Sequence, residues 1–341
     1  MSTDLLILHK HLVEIPSLTG LEYKMGIWLK YYLEGLNFTV ETQKVGENRF
    51  NIFAYLGDKR DANILVTSHI DTVPPHIPYR TEGDVIYGRG TNDAKGSVAC
   101  QIIAVNELIQ EKRLKSGDIS LLFVVGEEEG GDGMLKTEEL NLSPKHVIFG
   151  EPTELKLARG HKARTLPCGK AAHSGYPSLG INANEKLIDI LYHLQKLELP
   201  FSDELGPTTI NIGRISAGVA SNVISAHGSA VCLVRVSTSR EIIISKIKEI
   251  ITSVEGASLQ IETSYDPVHL TCDVEGFETF VASYGTDVPN ARFKGIPFRY
   301  LYGPGSIHTA HGEKEHVTRS DLEQAVIGYK KLISHSLSTE L

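Results

Sequence analysis

The sequence predicts an α/β fold in which a larger domain is interrupted by a smaller, inserted one. Three observations predict it. The chain has 341 residues, more than one ordinary core organises, which favours two domains. Up to residue 150, short apolar runs alternate with amphipathic stretches, the pattern of a sheet with helices on both faces. The middle then changes character, and the last segment returns to the pattern of the first.

Residues 3–14 and 21–36 read as amphipathic helices, with Leu5, Leu6, Leu8, Leu12 and Val13 on one face of the first. Residues 50–56 and 63–68 read as strands, 95–111 as a helix opening at Asp93, and 118–125 and 146–150 as buried strands. A short strand near 163–169 comes next, then a helix at 182–197 and strands at 207–216 and 222–236. A helix at 239–254 and a strand at 257–264 complete the order β-α-β-β-α-β, which is ferredoxin-like. After 271 the expectation is a helix, a glycine-rich turn and a helix from Ser320 to the end. The expected division is 1–161 and 271–341 for the larger domain and 162–270 for the insertion.

Apolar content of 41% and charged content of 22% are those of a soluble globular protein. A net charge of -8 disfavours a nucleic-acid partner, which calls for a basic face. Cys100, Cys168, Cys232 and Cys272 form no CxxC pair, so neither a zinc ribbon nor a redox motif is indicated. The opening MSTDLLILHKHLVEIP lacks the basic-then-apolar pattern of a secretory signal, and no apolar run suits a membrane span. The expectation is a cytoplasmic protein with reduced thiols and no membrane partner.

Polar residues gather where apolar runs end. His69 and Asp71 lie two apart just past a strand, so their side chains share a face. Asp93 stands at the mouth of a helix, three glutamates follow the apolar run in FVVGEEEGGDG, and Glu151 follows VIFG. In an open α/β sheet, ligands bind beyond the carboxyl ends of the strands, so four elements deliver these groups to one rim. Each alone has a plain reading as helix cap, surface residue or solvated face. Together, such carboxylates would repel one another without cations. A mixed histidine and carboxylate set suits zinc, manganese or cobalt better than calcium.

The segments SHIDTVP (68–74), YGRGTNDAKG (87–96), VVGEEEGGDGM (124–134), IFGEPTE (148–154), GKAAHSGYPSLGINA (169–183) and GPGSIHTAH (303–311) carry a resemblance. In order, over nearly the whole chain, they resemble the acetylornithine deacetylase, succinyl-diaminopimelate desuccinylase, aminoacylase and carboxypeptidase family of co-catalytic zinc hydrolases. Within it, the chain looks most like fungal proteins described as probable carboxypeptidases. The resemblance implies a zinc-peptidase-like catalytic α/β domain, an inserted lid and dimerisation domain, and a homodimer. It also implies two zinc ions, for which cobalt or manganese can substitute. His69 and Glu151 would bind one ion, Asp93 would bridge, and His311 with a glutamate of the triplet would bind the other. Asp71 would hydrogen-bond the His69 ring and fix its tautomer.

The triplet admits two registers. The pattern E-E-x-G-G-x-G makes Glu127 the general base and Glu128 the ligand; a D-E-E form makes Glu128 the base and Glu129 the ligand. The first is preferred, because the apolar run ends one residue before Glu127. His173 resembles a donor to the tetrahedral oxyanion, often supplied by a partner subunit. Asn222 and Arg235 resemble groups that hold the substrate, the guanidinium suiting a carboxylate; Arg235 also reads as a strand-surface arginine. Gly303, Gly305 and Ser306 offer backbone N–H groups to that carboxylate, or form a turn. One departure stands out: the spacing from His161 to His173 is short for the family, and Pro167 falls where a ladder donor is wanted.

The expected activity is hydrolysis of an amide next to a free α-carboxylate, carboxypeptidase-like, on a peptide C-terminus or an N-acyl amino acid. Water activated at the metals would attack, with Glu127 as general base. The alternatives are an N-acetylornithine-type deacetylase and a non-catalytic metal-binding relative with a truncated lid.

Overall fold

The computed structural model describes residues 2–161, 163–165, 182–218, 225, 227–261 and 265–339. The chain divides into two compact units. The first comprises Met1–Arg159, Leu270–Phe280 and Thr286–Leu341; the second comprises Gly160–His269 and Val281–Gly285.

A six-stranded sheet organises the first unit. Its order is Phe38–Gly46, Arg49–Leu56, Ile119–Val124, Ile64–His69, His146–Gly150, Phe298–Tyr302. The first two form an antiparallel hairpin, and Arg49–Leu56 pairs antiparallel with Ile119–Val124. The last four run parallel. Every residue of Ile64–His69, Ile119–Val124 and His146–Gly150 is buried. Parallel strands covered on both faces need such unbroken apolar runs. In the helix Ser2–Glu14, Leu5, Leu8, Leu12 and Val13 are buried while Ile7 faces solvent, the expected one-sided stripe. Helix Lys95–Gln110 is buried along most of its length and packs against both Ser2–Glu14 and Arg319–Ser338.

In the second unit, Thr209–Ala217, Gly228–Val236 and Ala163–Thr165 form an antiparallel sheet in that order. Gly228–Val236 alternates buried and half-buried residues, as a strand with one face on a core must. Helices Ala183–Lys196 and Arg240–Thr252 supply Leu187, Leu191, Ile243 and Ile247 to that core. Their N-caps are Asn182 and Ser239, whose side chains accept from the N–H groups of Asn184 and Glu241.

Three expectations need correction. No α-helix follows residue 271 among the described residues until Arg319. Gly285, Pro289, Gly295 and Pro297 break that stretch into a short 3-10 turn and strands, and Phe298–Tyr302 becomes the edge of the main sheet. Among the described residues, 257–261 pair with no strand, and 262–264, the rest of that expected strand, lie outside the described residues. Phe38–Gly46 is a strand that the sequence reading passed over. It is an outer strand rich in polar residues, so it lacks the apolar run that marks its neighbours. Among the described residues no helix is long and apolar enough to cross a membrane.

Candidate metal centre

The four parallel strands end within a residue of one another, since His69 pairs with Val124, Thr67 with Phe149 and Tyr302 with Gly150. The chain therefore leaves the sheet at one rim. His69 is the last residue of its strand, Glu151 follows its strand directly, and Glu127 and Glu128 come one turn after Val124. Asp93 precedes the helix Lys95–Gln110 without capping it; the N-cap is Ala94 and no side chain caps the helix. The plain reading of Asp93 as a cap therefore fails.

The carboxylate of Asp93 has its two oxygens in different company. Oδ1 lies 3.1 Å from Nε2 of His69, and Oδ2 lies 3.2 Å from Nε2 of His311. Nε2 of His69 is also 4.0 Å from a Glu151 oxygen, and Nε2 of His311 is 2.9 Å from Oε2 of Glu128. Ligand atoms of His69, Asp93 and Glu128 all lie within 4.8 Å of one another, close enough to share an ion. Glu129 is exposed, whereas Glu127 and Glu128 are drawn inward.

Asp71 holds this arrangement from behind. It is fully buried, its backbone carbonyl is 3.1 Å from Nδ1 of His69, and its carboxylate is 3.4 Å from the same nitrogen. The same carboxylate accepts from the backbone N–H of Glu127 at 3.1 Å and of Glu128 at 3.3 Å, and from the Thr19 hydroxyl at 2.9 Å. The far side of the glutamate turn is pinned by Asn51, which accepts from the N–H of Val125 and donates to the carbonyl of Gly133. Gly126 lets the turn start: its φ is 77°, and a Cβ there would meet Oδ1 of Asp132 at 1.9 Å.

Burial, reinforced by the Glu151 charge, pushes the Glu127 carboxyl well above its ordinary value. Burial and the Asp93 charge raise Glu128, and burial raises Glu151 strongly. Burial opposes charge on Asp93, but hydrogen bonds from His311 and His69 outweigh it and hold the carboxyl low. Hydrogen bonds to Asp93 and Glu128 lift His311 to about 10. Burial disfavours the His69 imidazolium; Asp71 and Asp93 overcome that and hold the ring well above its ordinary value. The cluster thus demands positive charge from somewhere. One buried oxygen, Oε1 of Glu128, has no hydrogen-bond partner among the described residues. Unpaired buried carboxylate oxygen beside two imidazoles is the donor chemistry of a transition-metal site, so the residues fit divalent cations.

Comparison with known proteins gives the same direction. Residues 65–335 match the model of Peptidase family M20/M25/M40. The chain belongs to this peptidase family. Of its M20 relatives, a Peptidase M20 domain-containing protein of Schizosaccharomyces pombe is 45% identical, the alignment covering 98% of this chain and 85% of that protein. A protein of Aspergillus clavatus described as a probable carboxypeptidase is 43% identical, over 100% of this chain and 90% of its own. A tripeptidase crystal structure from Staphylococcus aureus superposes with a TM-score of 0.84 at 21% identity, covering 99% of each chain. The fold is therefore that of M20 peptidases, and the chain is a hydrolase of metallopeptidase type.

The first unit of this M20 chain brings together His69, Asp71, Asp93, Glu128, Glu151 and His311. Glu127 shares their electrostatic surroundings. Gly305 has a φ of 73°, and a Cβ there would meet Oδ1 of Asn92 at 1.9 Å, so this position needs glycine whatever its N–H contacts. Arg235 lies half-buried on Gly228–Val236 in the second unit. His173, Asn222 and Pro167 lie outside the described residues.

Two charged residues at the rim escaped the sequence reading. Asp287 is 5% exposed, accepts from Asn290 Nδ2 at 3.1 Å through Oδ1, and is raised to about 7 by burial; its charge is felt at Glu127 and Glu151. Lys95 is 1% exposed, donates to the Ile15 carbonyl at 2.9 Å, and is lowered to about 7 by burial. Lys95 had a signal, since a lysine in the first turn of a buried helix asks for a partner. Asp287 had none, because it sits in a turn with no periodicity.

Proposed function

We propose that this chain is a di-zinc hydrolase that cleaves an amide bond adjacent to a free α-carboxylate, with carboxypeptidase-like preference. The observation that carries the reading is the division of Asp93 between two histidines, at 3.1 and 3.2 Å. It separates the centre into a His69–Glu151 half and a His311–Glu128 half that share one carboxylate. When bound, two divalent ions supply Lewis acidity and acidify a water near neutral pH.

The chain's own groups do the rest. Glu127, made basic by burial, takes a proton from the attacking water and returns it to the leaving amine. Asp71 keeps the His69 ring in one orientation and, through two backbone N–H groups, keeps Glu127 and Glu128 diverging toward different tasks. Arg235 and Asn222 would take the substrate carboxylate, Gly305 would add a backbone N–H, and His173 would stabilise the tetrahedral oxyanion. The second unit would serve as lid and dimerisation module. The Aspergillus relative's description favours a peptide C-terminus over N-acetylornithine as substrate. A second reading, a metal-binding relative without turnover, draws on the short spacing between His161 and His173.

The test is hydrolysis by zinc- or cobalt-loaded protein of blocked dipeptides with free C-termini, N-acetylornithine and other N-acetyl amino acids. A Glu127→Gln control runs beside each. Peptide turnover that disappears in the control is the expected result. Two bound ions with no turnover on any substrate would replace it with the second reading.

A further inference from the structure

The mechanism above leaves unused a buried ion pair between Arg89 and Glu315, which are 2% and 1% exposed. Nη1 of Arg89 donates to Oε2 of Glu315 at 2.6 Å. Such a pair is poor evidence of stability, because apolar replacements of equal volume are often neutral or stabilising. Its other contacts say more. Oε1 of Glu315 accepts from three N–H groups of one loop: Gly90 at 2.9 Å, Asn92 at 3.3 Å and Asp93 at 3.1 Å. Arg89 meanwhile reaches the other side of the centre. Its Nη2 donates to the carbonyl of His311 and its Nη1 to that of Gly312, each at 3.3 Å. Its Nε donates to the Pro75 carbonyl at 3.2 Å.

One pair therefore grips the backbone of two residues that meet through their side chains. Asp93 sits on a loop before a helix, and His311 on a loop after a strand with φ at 63°, a conformation that a Cβ-bearing residue keeps only when held. The antiparallel pairing of Val85–Tyr87 with His316–Thr318 brings the two loops side by side, but its last backbone bond, from the N–H of Gly88 to the carbonyl of Glu315, stops short of both Asp93 and His311. We propose that the Arg89–Glu315 pair is a positioning element that sets the Asp93–His311 separation, and with it the affinity of the His311–Glu128 half for its ion. The proposal rests on the di-metal reading. It requires a guanidinium at 89, since only a planar fork reaches the carboxylate and the two carbonyls at once.

The experiment is a cobalt titration of metal-free protein, followed by visible absorption and calorimetry, with thermal melting of each variant in parallel. Arg89→Lys keeps the charge and loses the fork. It is expected to weaken the second ion by about tenfold to a hundredfold, with the first ion unchanged. Its kcat falls at unchanged KM and is restored by excess metal. The double replacement Arg89→Met with Glu315→Met removes the pair without orphaning a charge. It deprives the Gly90, Asn92 and Asp93 N–H groups of their acceptor, so it is expected to melt below the wild type, still cooperatively, and to bind the first ion while losing the second. Both variants binding two ions with wild-type affinity would overturn the proposal. A wild type that binds no ion would overturn the di-metal reading, and this inference with it.

Discussion

The two histidines of the centre are held in opposite ways. His69 ends a fully buried strand, is 1% exposed, and has Asp71 behind its ring. His311 lies in a turn, its side chain is 50% exposed, and the contact that anchors its backbone comes from an arginine 222 residues away in sequence. A strand end inherits its position from the sheet ladder. A loop residue must be placed by side chains, and each such contact is one that substitution can remove. If the centre holds two ions as proposed, its two halves should therefore differ in affinity and exchange, although they share a carboxylate.

Several substitutions and conditions break or sharpen that contrast. The largest effect removes chemistry from both halves without touching either. Glu127→Gln should lower kcat by about 10²- to 10⁴-fold with both ions retained by metal analysis. Retained turnover would move the base to Glu128.

The next tests the scaffold of the buried half. His9, fully buried, lies 3.0 Å from the Thr91 carbonyl through Nε2, tying the first helix to the Asp93 loop. Burial lowers its pKa from 6.5 to about 4. Between those values the unfolded chain binds the extra proton, so stability is complete above pH 6.5 and falls as pH drops toward 4. The loss approaches about 3 kcal/mol at the low end. Urea midpoints at pH 7, 5 and 4 measure it, and equal midpoints at pH 7 and 5 would refute it. A His9→Gln variant should lose this component.

Metal removal comes third. Ions held at a hundred times their Kd should stabilise the fold by about 2.7 kcal/mol per site. Graded chelation should strip the His311 half first, seen as two phases in cobalt absorbance; a single phase would erase the contrast. Smallest is Asp71→Asn, expected to cost about tenfold to a hundredfold in affinity at the His69 half and less at the other. Equal losses at both halves would show that the shared carboxylate, not the local support, governs affinity.

What the sequence disclosed follows the same division. His69, Asp71, Glu128 and Glu151 could be read because each stands where an apolar run stops, and the end of a run marks the end of a strand; Asp93 could be read because it stands at the mouth of a helix. His311 came only with the resemblance, since no run points to it. The Arg89–Glu315 pair was hidden because its members are 226 residues apart and only the folded topology brings them together. An arginine flanked by Gly88 and Gly90 was its one local trace. The segment after 271 was misread for a related reason: turns rich in glycine and proline erase the periodicity that separates helix from strand.

The position of Asp71 has a thermodynamic consequence. One carboxylate touches the ring of His69 and the backbone of Glu127, so order at the first is tied to order at the second. Linkage makes such ties reciprocal. An ion that steadies His69 would also steady the base, and a transition-state analogue gripping Glu127 would tighten that ion by the same factor. Inhibitor affinity and metal affinity in this protein should then rise and fall together, each a gauge of the other.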